Sequence, residues 1–68
     1  MSKTAHFKVF CLERYKSVHQ MNGKDTFNLF KEFGVLEYLD SCYDVLHTFG
    51  HQHLVDDIEL FIEARRSA

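Results

Sequence analysis

Cys42, His47, His51 and His53 fall within twelve residues of one another, and thiolate with imidazole is a donor set that holds zinc. His47 and His51 are four apart, the spacing that puts two imidazoles on one face of a helix. Gly50 interrupts that face, and a helical Cys42 would project away from His47. The plainer reading, in which His51 and His53 are solvated residues at a helix start, therefore outweighs a metal. Asp44 and His47 could form an acid-base pair, a use that needs a pocket around them. His47 follows Leu46 at the end of an apolar pattern, where an imidazole would bond the unpartnered carbonyls of a helix C-terminus, and this structural role is favoured. Cys11 lies between Phe7 and Tyr15 on an apolar face, where a free thiol acts as a small hydrophobe. Nucleophilic use of Cys42 would need an electropositive surrounding that only its histidines could supply. No glycine-rich loop that could cradle a phosphate is present.

The elements around these residues must be short. A chain of 68 residues buries only about 60% of the surface it exposes when unfolded, and a core of that size rarely supplies more than about 3–5 kcal/mol. Seven Phe and three Tyr crowd into it. Charge is divided along the chain: residues 1–34 hold six Lys/Arg against three Asp/Glu, a balance of +3, and residues 35–68 hold two against seven, a balance of −5. An acidic second half argues against a phosphate-backbone footprint and permits a basic partner or head-to-tail self-association. Two cysteines, no signal-like leader and no run near eighteen apolar residues make a reducing, cytoplasmic setting the expectation, with no membrane span.

Helical spacing runs through the whole chain. Ser2 or Thr4 can cap a first helix over 4–19, in which Phe7, Phe10, Cys11, Tyr15 and Val18 share one face. Ala5, Val9 and Leu12 form a second apolar side, so this helix is either the centre of the domain or half of an interface. Met21-Asn22-Gly23 is expected to end it in the left-handed conformation. A second helix over 24–33 carries Phe27, Phe30 and Phe33 with Leu29 and stops at Gly34. A third over 35–47 carries Val35, Leu36, Leu39 and Tyr43, with Glu37, Asp40 and Asp44 outward; it either runs unbroken or pauses near Ser41-Cys42, whose short side chains compete for backbone hydrogen bonds. Gly50 closes it, and Thr48 can cap the next helix. The fourth, 51–66, has the clearest stripe, in Leu54, Val55, Ile58, Phe61 and Ile62, with Leu60 off it and Arg65 and Arg66 in the last turn.

The second helix, Gly34 and the third helix have the outline of a helix-turn-helix. The would-be recognition helix carries Glu37, Asp40 and Asp44 and no Lys or Arg, so phosphates would repel it and nucleic acid is disfavoured.

Phe10-Cys11-Leu12-Glu13, the run FKEFGVLEY from Phe30 to Tyr38, the run YDVLHTFG from Tyr43 to Gly50 and Asp57-Ile58-Glu59 together resemble a family of small bacterial proteins of unknown function. The likeness extends from Phe7 to Arg65, and Tyr43, Leu46, His47 and Gly50 are its most specific element. The resemblance implies an accessory or antitoxin-like partner of an ADP-ribosyltransferase-like protein encoded beside it, and it implies no activity of its own. Phe49 stands where that pattern leads one to expect a more polar residue, and an exposed Phe is what a binding surface uses as an anchor.

The expectation is thus a single all-α domain over 1–68, a compact bundle of four short helices. It is read as a non-catalytic interaction module without cofactor that binds a protein partner or itself. Val9, Leu12, Tyr43, His47, Phe49 and Leu60 are the expected contact residues; the alternative is a small site at Cys42, His47, His51 and His53, with Asp44 in the acid-base version.

Overall fold

The structure, a computed structural model, describes residues 2–67. It is built from α1 (Lys3–Val18), α2 (Gly23–Glu32), α3 (Val35–Ser41), α4 (Tyr43–Leu46) and α5 (His51–Arg66), with no strand among the described residues. The bundle is all-α as expected, and the span 35–47 resolves into two helices. Cys42, at φ −108° and ψ 18°, ends α3 and opens α4, so the pause at Ser41-Cys42 is the outcome. No helix of the described residues is long and apolar enough to cross a membrane.

Each helix begins and ends for a local reason. The Ser2 hydroxyl accepts the Ala5 N–H at 3.1 Å, meeting one of the donors that a helix start leaves unpaired. The chain turns left-handed at Gln20 (φ 53°), before the Asn22-Gly23 pair expected to supply that turn. There the Gln20 N–H bonds the Ser17 carbonyl (3.3 Å) and the Met21 N–H bonds the Lys16 carbonyl (3.0 Å), the paired closure of a Schellman motif with Gln in the place glycine prefers. That frees Asn22 to cap α2, its Oδ1 accepting the Asp25 N–H at 2.7 Å. Gly34 (φ 72°) turns the chain from α2 into α3 as anticipated. Gly50 is extended at φ −69° and stands at the start of α5 without a side-chain cap. Thr48 does not cap α5 either, because its hydroxyl donates back to the Val45 carbonyl at 2.7 Å.

The core gathers Cys11 and Tyr15 from α1, Phe30 from α2, Val35 and Leu39 from α3, Leu46 from α4, and Leu54, Val55, Ile58 and Ile62 from α5. α1 packs against α2, α3 and α5, so it is the central element. Helix geometry separates the aromatic side chains of α2, and one expectation for α1 fails. A run at steps of three falls back about 60° per step on a helix of 3.6 residues per turn, so Phe27, Phe30 and Phe33 cannot share one face. Phe30 is fully buried, Phe33 is half-buried and Phe27 is 46% exposed. The inward position one turn before Phe30 goes instead to Thr26, whose hydroxyl donates to the Asn22 carbonyl at 2.8 Å and is thereby satisfied in the core. Val18, expected on the inner face of α1, is exposed, and the His19 ring stacks on Tyr15 at 4.2 Å beyond it.

A second set of contacts ties α3 to its neighbours. Tyr38 donates its hydroxyl to Asp57 of α5 at 2.7 Å while its ring stacks on Phe61 at 4.1 Å. Lys8 of α1 meets Asp40 of α3 at 2.7 Å.

The two left-handed positions give opposite expectations. Gly34→Ala should lower stability by about 1 kcal/mol, since its φ rather than any crowding is the obstacle. Gln20→Gly should raise stability by about 0.5–1 kcal/mol, the relieved strain exceeding the added freedom of the unfolded chain. For a domain of this size 1 kcal/mol is about 4–8 °C of melting temperature; thermal melts followed by circular dichroism would show it, and a lower melting point for Gln20→Gly would contradict the motif.

Candidate functional site

The break at Cys42 aims the short α4 so that its side chains meet α1 and the start of α5. The Tyr43 ring stands edge-on to Phe7 at 5.2 Å and lies flat on His47 at 4.6 Å, the planes 9° apart. His47 donates from Nδ1 to the Tyr43 carbonyl at 2.7 Å, the helix-terminal bond expected of it. His47 itself is exposed. Phe10 meets the His51 ring at 5.0 Å, and Phe49 stacks on His53 at 4.3 Å. Phe49 is half-buried against the core rather than exposed, a correction to the expected exposure.

These rings frame an open cleft of about 420 Å³ to which His6, His47 and His51 contribute, with Phe7, Phe10, Tyr43 and Phe49 as walls. The sequence reading missed His6, which lies forty residues away from this corner and shares no spacing with it. Among the described residues, no three His, Cys, Asp or Glu side chains come together to hold a metal ion. Cys42, His47, His51 and His53 therefore do not form a ligand set. Each imidazole is engaged by its own aromatic neighbour, and Cys42 is half-buried beside the core. Asp44 is exposed, and no hydrogen bond among the described residues joins it to His47, so the acid-base pair is not assembled.

A second concavity lies between α1, α2 and α3. It encloses about 240 Å³ and is lined by Ala5, Lys8, Val9, Leu12, Phe27 and Leu36. Val9 is 51% exposed and Phe27 46%. The three α1 residues assigned from sequence to the second apolar side of that helix, Ala5, Val9 and Leu12, all line this groove. Phe27 and Leu36 complete it and were missed as surface residues because their apolar character suggested core. The three-residue drift of the α2 phenylalanines was the available signal for Phe27. Lys8 lines the groove while its ammonium reaches Asp40, as long cationic side chains do over apolar surface. Leu60 lies on neither concavity. It is 70% exposed on α5, as its position off the stripe implied.

Burial controls the ionisable groups of the interior. The Cys11 thiol is pushed up from 9.0 to about 12 by desolvation, so it stays a neutral thiol. Tyr38 is pushed up from 10.0 to about 12 by burial first, then by the hydrogen bond to Asp57 and the charge of that carboxylate. Asp40 is held below its ordinary 3.8, chiefly by the hydrogen bond from Lys8.

Both cysteines are free, and they should differ. A thiol reagent at neutral pH is expected to modify Cys42 in the native protein and Cys11 only once denaturant is added; equal native rates would contradict the burial of Cys11. Alkali supplies a second test. Cys11 and Tyr38 ionise less readily in the fold than in the unfolded chain, so the stability they contribute is complete below about pH 9 and is lost as pH rises towards 12. Denaturant midpoints should accordingly fall between pH 9 and 12, and Tyr38→Phe should reduce that fall.

No curated protein and no solved structure matches the chain. A family described as protein of unknown function, DUF3791, matches residues 6–65. With nearly the whole helical domain inside that match, from the first turn of α1 to the last turn of α5, the chain belongs to the DUF3791 family of proteins of unknown function.

Proposed function

We propose that this protein is a non-catalytic interaction module whose groove between α1, α2 and α3 receives an apolar side chain from a protein partner. The observation that carries this reading is that an aromatic and a β-branched side chain, Phe27 and Val9, stay about half exposed around one apolar concavity. Contiguous exposed apolar surface marks interaction sites more often than singly scattered side chains do, and these two share one groove. Helix-in-groove recognition needs this kind of lining, with a central anchor pocket and a polar rim. Three imidazoles share the corner cleft, but His47 is committed to stacking on Tyr43 and to a helix carbonyl and His51 meets Phe10 edge-on, so this reading assigns the cleft no catalysis and no cofactor.

The resemblance drawn from the sequence supplies a candidate for the partner, an ADP-ribosyltransferase-like protein encoded alongside, with this chain as its accessory or antitoxin-like companion in the cytoplasm. Nucleic acid stays disfavoured by the carboxylates of α3 and α5.

Co-purification of the tagged full chain with that neighbouring product tests the proposal. Phe27→Asp combined with Val9→Asp should weaken binding by about thirtyfold or more, the loss of one aromatic anchor, with helix content unchanged. His47→Ala should bind as the unmodified chain does. Binding indifferent to Phe27 and Val9 would end the assignment to this groove.

A further inference from the structure

The exposed faces of α2 and α5 carry matching patterns of opposite charge. On α2, exposed Phe27 lies between Lys24, three residues before it, and Lys31, four residues after it, both exposed. On α5, exposed Leu60 lies between Asp56, four residues before it, and Glu63, three residues after it, also exposed. Residues three and four apart are neighbours on one face of a helix. If the two helices lie antiparallel with Leu60 opposite Phe27, Lys24 faces Glu63 and Lys31 faces Asp56 in the same register. At 1.5 Å of rise per residue, the offsets agree on both sides.

From this register we infer that the groove, while no other protein fills it, docks the Leu60 ridge of a second copy of this chain, a contact that rests on the proposed use of the groove. The contact has to be between copies, because the groove is lined by residues of α1, α2 and α3 and by none of α5. Its charge sense repeats that of the whole chain, whose first 34 residues are net basic and whose remainder is net acidic. Neither Lys24 nor Lys31 is in an ion pair among the described residues. Glu63 is held by Arg66 of its own helix at 2.7 Å, and Asp56 accepts from Gln52 at 3.1 Å; both are exposed local bonds that turn over readily. A weak specific interface buries about 1,000 Å² in total, roughly half from each copy, which a surface of 4479 Å² supplies. Since ridge and groove are different surfaces, a copy that has lost one still offers the other.

Sedimentation equilibrium of the full chain across the micromolar range tests this. The unmodified protein should show a mass rising with concentration above the 8.1 kDa monomer, and added salt should reduce it. Leu60→Lys alone and Phe27→Asp alone should each stay monomeric at unchanged helix content, and an equimolar mixture of the two should regain a complex, because one variant keeps the groove and the other the ridge. Lys31→Glu should weaken association by about tenfold, and pairing it with Asp56→Lys should restore it. A strictly monomeric unmodified chain, single variants that still associate, or a mixture that does not would each overturn the inference. If the chain is monomeric while a different protein is still captured through Phe27 and Val9, only the self-docking falls. Loss of that capture as well would remove the groove from the proposed function.

Discussion

One helix has to serve three neighbours. α1 packs against α2, α3 and α5 at once, which is why it is apolar on more than one side and why Cys11 and Tyr15 are its only buried side chains. In a chain this short each core side chain counts heavily: truncating one costs about 2–5 kcal/mol, comparable with the about 3–5 kcal/mol that the whole core supplies. The inner face of α1 is consumed in closing the domain. Its other apolar side is left to form the floor of the groove at Ala5, Val9 and Leu12.

The aromatic surplus arises from the same constraint. Tyr15 and Phe30 are enclosed, Phe27 is exposed, and the other seven rings sit part-way, with one edge in water. Several use polar or cationic neighbours to do so. Tyr38 reaches Asp57, Arg65 lies over Phe61 at 4.7 Å, Arg66 over Phe33 at 5.4 Å, and four rings pair with histidines. His19, His47 and His53 lie flat on their rings, and His51 meets Phe10 edge-on.

Tyr38 and Asp57 stand in the sequence only as parts of a family-like pattern, and packing gives them work. The hydroxyl-to-carboxylate bond at 2.7 Å and the stack on Phe61 hold α3 against α5 on one side. The exposed Lys8–Asp40 pair reaches α1 on the other. Between these contacts α3 supplies the wall of the groove at Leu36, opposite its floor on α1.

Periodicity and stop signals alone determined the helical class, the placing of α5 and its inner stripe, the turn at Gly34 and the second apolar side of α1. These are local properties, set by 3.6 residues per turn and by which residues tolerate a left-handed backbone. Only tertiary structure decided between an unbroken third helix and the break at Cys42, that Thr26 rather than Phe27 goes inward, and that His6 joins the corner around His47. Each of those depends on which neighbouring helix covers which face. A single strand of sequence carries the pattern of its own faces, but the partner that will cover a face is set only when the helices pack.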